Sequence, residues 1–169
     1  MNYLLIGNMI ALAASILQAS SGLVKNKQKI IYMHSVQKIF GVISNLVLCG
    51  ITGALMNFIG FLRNVLCYKH KLGIKEKIIL IILSTALSLS ANEINALSFL
   101  PMIATIIYTL LMDIKDIIKF KRLALVTTIM WFIYDIFINS YTGALFDLAY
   151  ILTNLITIIR LKLANNKIA

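Results

Sequence analysis

The sequence predicts an all-α integral membrane protein. Seven transmembrane helices form two parallel triple-helix bundles joined by a connector helix, with the amino terminus outside and the carboxyl terminus inside. Three observations carry this expectation. The 169 residues are 60% hydrophobic with a mean hydropathy of +0.92, whereas soluble domains are nearer half apolar. The Lys and Arg residues collect in alternate connections between apolar runs. A thirteen-residue stretch, "TGALMNFIGFLRN" from Thr52, returns as "TGALFDLAYILTN" from Thr142.

A spanning helix needs about 20 mostly apolar residues. Spans are expected near 3–24, 31–50, 52–69, 77–92, 95–113, 122–139 and 142–162. The first has an uncharged start and a basic cluster after it, the reverse of a secretory signal. The second and third are joined by "CGITG" and the sixth and seventh by "NSYTG", where Gly and polar residues turn the chain. The fourth is short and has to recruit flanking residues or mismatch the bilayer.

The charges give the orientation. Lys25, Lys27, Lys29 and Lys38 flank the first connection, Lys69, Lys71, Lys75 and Lys77 the third, and Lys115, Lys119, Lys121 and Arg122 the fifth. Arg160, Lys162 and Lys167 follow the last span, and the other connections carry no Lys or Arg. Lys and Arg favour the cytoplasmic side, which gives N-out and C-in. The same rule absorbs the net charge of +10, and no basic-aromatic platform calls for nucleic acid. Cys49 and Cys67 fall near opposite faces and have no metal-ligand spacing.

A shift of ninety residues lays helices 1–3 on helices 5–7. Three helices are an odd number, so a fourth must return the chain before a parallel repeat begins. One membrane domain, 1–169, thus divides into a first repeat (1–72), a connector helix (73–92) and a second repeat (93–165).

Polar groups at membrane depth are costly and face an interior or a cavity. Asn57 and Asn64 are seven apart, as are Asp147 and Asn154. Each pair therefore shares a helix face, about 10 Å apart along the axis. Amides donate and accept, so these four are candidate solute-binding residues, with interhelical hydrogen bonding as the competing role. Asp135 and Asp147 are the carboxylates inside spans away from the basic edge. Either can couple transport to protons, or sit solvated or bonded to Tyr134, Tyr141 or Tyr150 at the rim. Trp131 lies one turn before Asp135 and shares its face. Arg63 must snorkel or pair: with a substrate anion, or with Asp147. Pro101 frees a carbonyl in helix 5 and is a candidate hinge. No Ser-His-Asp set, phosphate loop or metal cluster suggests an enzyme or a cofactor.

The 3+1+3 plan resembles the SWEET/PQ-loop class of small-solute transporters. At the level of residues, "TGALMNFIGFLRNVLCY", "FLPMIATIIYTLLM" and "MWFIYDIFINSYTGALFDLAYILTNLITIIRLK" resemble the YgjV family of bacterial inner-membrane proteins. There is no Pro-Gln pair, and Pro101 faces Ala11 in the other repeat. The SWEET-like resemblance implies a pocket lined by Trp131, Asn64 and Asn154. The expected function is transport of a small polar solute (sugar-, nucleoside- or vitamin-like) by alternating access. The alternative is a non-transporting scaffold, assembly factor or solute receptor on the same fold. The expected partners are the inner-membrane bilayer, the small-molecule solute and, as a further option, a second copy in a homo-oligomer.

Overall fold

The computed structural model describes residues 2–70, 72–91 and 95–166. Lys71, Lys167 and residues 92–94 of the connections discussed above lie outside them. Among the described residues the fold is wholly helical: α1 (Tyr3–Leu23), α2 (Lys27–Val47), α3 (Ile51–Lys69), α4 (Ile74–Ser90), α5 (Leu100–Leu111), α6 (Ile117–Phe137) and α7 (Tyr141–Asn166). A 3-10 turn, Ala96–Phe99, leads into α5.

Four helices, α1, α2, α3 and α7, are long and apolar enough to cross a membrane by length and composition. The others fall short for different reasons. α4 and α5 are short, and α6 carries Lys119, Lys121, Arg122 and Asp135 within 21 residues. The side-chain distribution is inverted relative to a soluble protein. Leu5, Met9, Leu12 and Ile16 of α1 and Leu145, Leu148, Leu152 and Leu155 of α7 point outward. Asn57, Arg63, Asn64, Lys121, Asp147 and Asn154 are buried.

The helices form a ring. Each of α1–α2, α2–α3, α5–α6 and α6–α7 packs side by side, and α1–α7 and α3–α5 close the circle. α4 packs outside it, between α3 and α5, and the α1–α7 seam is the more extensive of the two closures.

The ninety-residue spacing recurs in the backbone. α6 begins and ends ninety residues after α2. Asn26 caps α2 through its side chain, and Asp116 caps α6. Each of these helices ends in a Schellman turn. Gly50 N–H donates to Asn45 O at 2.8 Å and Cys49 N–H to Leu46 O at 3.2 Å. Ser140 N–H donates to Asp135 O at 2.8 Å and Asn139 N–H to Ile136 O at 3.2 Å. The left-handed residues are Cys49 (φ 61°) and Asn139 (φ 59°), so Gly50 is not the residue that turns the chain.

The glycines of the two TGAL segments serve close approach instead. A Cβ on Gly53 would lie 2.5 Å from the Tyr134 ring and 2.6 Å from Asn45 Nδ2. One on Gly143 would strike the Asp135 carboxylate. The residue three from the end of α2 or α6 thereby lies over the start of the next helix.

Pro101 does not interrupt a long helix 5. It occupies the first turn of α5, directly after the 3-10 segment, where its missing N–H has no partner to lose. At the opposite end of the ring, lysines close helix ends across the two halves. Lys121 Nζ donates to Gly22 O of α1 at 2.7 Å, and Lys27 Nζ to Ile114 O beyond α5 at 3.0 Å. Cations are favoured at helix carboxyl ends.

Candidate functional site

The ring encloses a cavity of about 80 Å³. All six ring helices line it and α4 contributes no residue. A site holding one water needs about 10–15 Å³ by this measure, so the cavity has room for several waters.

Its charged residues divide by half. The first half supplies Lys38 from α2 and Arg63 from α3; the second supplies Asp135 from α6 and Asp147 from α7. Lys38 Nζ donates to Asn57 Oδ1 at 2.7 Å and lies 4.2 Å from the centre of the Trp131 ring. That cation–π contact joins the halves across the cavity. Arg63 donates from Nε and Nη2 to Asn64 Oδ1, at 3.1 and 2.9 Å, and lies 4.4 Å from the centre of the Tyr108 ring.

The carboxylates are held differently. Asp147 Oδ1 accepts from Gln18 Nε2, and Gln18 Oε1 accepts from Gln37 Nε2 at 2.8 Å. A relay of side chains therefore runs from α2 through α1 to α7. Asp147 Oδ2 is buried and has no protein partner, and the same is true of the Tyr108 hydroxyl. Buried polar atoms are nearly always hydrogen-bonded, so each marks a place for water or a ligand.

The geometry sorts the residues expected from the sequence. Asn57, Asp147, Trp131, Asp135 and Arg63 all line the cavity. Arg63 is not on Asp147, as one expectation had it; it lies on Asn64 and the Tyr108 face. Asn64 and Asn154 lie behind the cavity wall. Asn154 is fully buried, accepting from Lys121 Nζ at 3.0 Å and donating to Lys121 O at 2.8 Å. Asn64 holds the Arg63 guanidinium, and its Nδ2 has no partner.

Lys38, Gln18, Tyr108 and His34 also line the cavity, and the sequence reading had not placed them there. For Lys38 the signal was available. It lies eleven residues into a helix that starts at Lys27, which is mid-depth rather than a loop edge. Lys121 likewise belongs to the interior, with its side chain fully buried.

Apolar side chains outside and a charged, hydrogen-bonded cavity inside define an integral membrane protein with a polar interior. The chain matches the Imp-YgjV model, described as a bacterial inner membrane protein, over residues 5–165. It belongs to that family and resides in the bacterial inner membrane. No curated protein and no solved structure matches it.

Proposed function

We propose that the protein carries a small polar solute across the inner membrane, binding it in the central cavity and exposing it alternately to the two faces. In this reading all seven helices span the bilayer. The α2–α3 and α6–α7 turns face outward and the lysine-rich ends face the cytoplasm. The chain is two repeats whose relative rocking opens one end or the other. It is a carrier and not an enzyme.

The observation that supports this reading best is that every ring helix, and not the connector α4, lines one polar cavity. A scaffold has no need to aim charged groups from both halves at a shared space. Polar contacts bridge both seams. Asn8 of α1 accepts from Thr142 N–H at 2.9 Å and donates to Asn139 O at 3.2 Å. Tyr134 OH accepts from Gly53 N–H at 3.0 Å.

Thiol accessibility tests the reading. In a Cys49→Ser, Cys67→Ser background, Ala14→Cys and Thr127→Cys line the cavity, whereas Leu12→Cys and Val126→Cys point outward. A water-soluble, membrane-impermeant reagent is expected to modify the first pair and spare the second. Unreactive cavity positions from both faces would reject the carrier. In the native protein in intact cells, Cys49 is expected to label and Cys67 to remain protected; the reverse rejects the orientation.

A further inference from the structure

We propose that the cavity binds a small zwitterion, a molecule of the amino-acid class carrying one ammonium and one carboxylate. This deepens the carrier reading and rests on the same cavity being a solute site.

Four features point to this class. First, the cavity charges are not paired with one another. Among the described residues the ion pairs are Lys77–Asp113 and His70–Glu76, both outside the lining. Lys38 and Arg63 lie against amides and aromatic faces instead. Second, with all four groups charged the lining sums to zero. A net cation or anion entering would leave an uncompensated charge in a medium where that is costly. A zwitterion leaves the total unchanged.

Third, unused bonding capacity sits at both signs of charge. Asp147 is 4% exposed, lines the cavity and has Oδ2 without a partner, a free acceptor for an ammonium. Arg63 is 4% exposed and uses only Nε and Nη2 on Asn64; a guanidinium has five N–H donors. The Tyr108 ring packs on the guanidinium, and its hydroxyl is unpartnered. Together they form a donor set for a carboxylate.

Fourth, the two groups with unused capacity, Asp147 and Arg63, sit at different depths, while the Lys38 ammonium, bonded to Asn57, lies at the level of Asp147. Asp147 is six residues into α7 and Arg63 twelve into α3, roughly 9 and 18 Å of helix from the turn end. The ligand's ammonium therefore faces the turn end and its carboxylate faces the basic end. The cavity volume limits the ligand to a molecule of few heavy atoms. Because the cations come from one half and the carboxylates from the other, a bound zwitterion ties the halves together.

The test is thermal unfolding of the purified, full-length protein in detergent with six probes. Glycine and 4-aminobutyrate are zwitterions, ethylamine and acetate carry one charge each, and glucose and uridine carry none. A ligand that binds only the folded state raises its Tm with concentration. Glycine, 4-aminobutyrate or both are expected to raise Tm, by roughly 5 °C at saturation, with ethylamine and acetate silent. Asp147→Asn and Arg63→Gln are expected to weaken the response at least tenfold.

If both zwitterions are silent while glucose or uridine stabilises, the zwitterion assignment is overturned and the carrier reading stands. If all six are silent, the assignment is again overturned, and accessibility of Ala14→Cys and Thr127→Cys decides the carrier separately. A wild-type response retained in full by both Asp147→Asn and Arg63→Gln also overturns it. The wild-type series stands alone should either variant fail to fold.

Discussion

At positions 45 and 57 the first half of the ring carries amides; ninety residues on, at 135 and 147, the second half carries carboxylates. α2 and α6 share their Schellman turns, capping positions and helix bounds, and α3 and α7 start ninety residues apart. Ala14 and Ala104 still match, but other cavity positions have diverged. Lys38 answers to Thr128, Gly41 to Trp131, and Arg63 to Thr153. A ring in which α2 and α6 match in backbone geometry thus surrounds a cavity basic on one side and acidic on the other. The two seams are not equal, the α1–α7 closure being more extensive than the α3–α5 one. In the proposed carrier, the chemical inequivalence of the two sides would give a ligand one preferred direction.

The largest effect is expected where the halves differ in a buried cation. Lys121 answers to Ile31 in the first half. It is fully buried and bonded to Gly22 O and Asn154 Oδ1. Lys121→Ile makes the halves alike at this point and orphans both acceptors. Hydrogen bonds to charged groups contribute about 1.5–3 kcal/mol each, offset in part because the buried ammonium no longer has to be desolvated. A net loss of about 2–3 kcal/mol is expected, read as a fall in Tm in detergent. An unchanged or raised Tm would show that the asymmetry at this end is not structural.

A smaller effect tests what the halves share. Gly53→Ala and Gly143→Ala are each expected to destabilise by about 1–2 kcal/mol, the usual range for overpacking less the better helix propensity of Ala. Gly53→Ala is the worse of the two. Its new methyl meets the fully buried Tyr134 ring, which has nowhere to swing, as well as Asn45. In Gly143→Ala the obstacle is the end of the Asp135 side chain and the Ser140 hydroxyl. Equal Tm values for both variants and the parent would remove close approach as the reason the two TGAL segments coincide.

Much of this arrangement was legible in the sequence, and the misses have physical causes. Hydropathy and the ninety-residue shift place all seven helices, because lipid-facing Leu and Ile leave long apolar runs. The seven-residue spacing of Asn57–Asn64 and Asp147–Asn154 gives the correct helix face. It does not say which side chain fills the space in front of that face. Arg63 and Lys121 are long enough to reach across and occupy Asn64 and Asn154, so those amides hold cations and leave the cavity to others. Lys38 was hidden by its neighbours: close to a basic connection, a Lys reads as loop. Only the cap at Asn26, which starts α2 four residues earlier than the apolar run, reveals its depth. Pro101 misled in the same way. A proline inside an apolar run reads as a kink, until the 3-10 turn before it makes it a helix start.

The smallest expected effect separates the two caps. Asn26 and Asp116 occupy equivalent positions at the starts of α2 and α6, but only Asp116 titrates. The backbone N–H of Lys119, with that of Ile118, holds its carboxylate below the ordinary aspartate value of 3.8. A depressed folded-state pKa contributes stability that is present above 3.8 and is lost as pH falls through the lower, folded value. Acid should therefore loosen the first turn of α6 and leave that of α2 unaffected. Amide hydrogen exchange, corrected for the intrinsic pH dependence of the rate, reads this directly. Between about pH 6 and values well below 3.8, protection at Ile118 and Lys119 is expected to fall while that at Lys29 holds. Asp116→Asn should make the two helix starts behave alike. Loss of protection at Lys29 in parallel would place the acid response in the ring as a whole and not in the one cap that can be protonated.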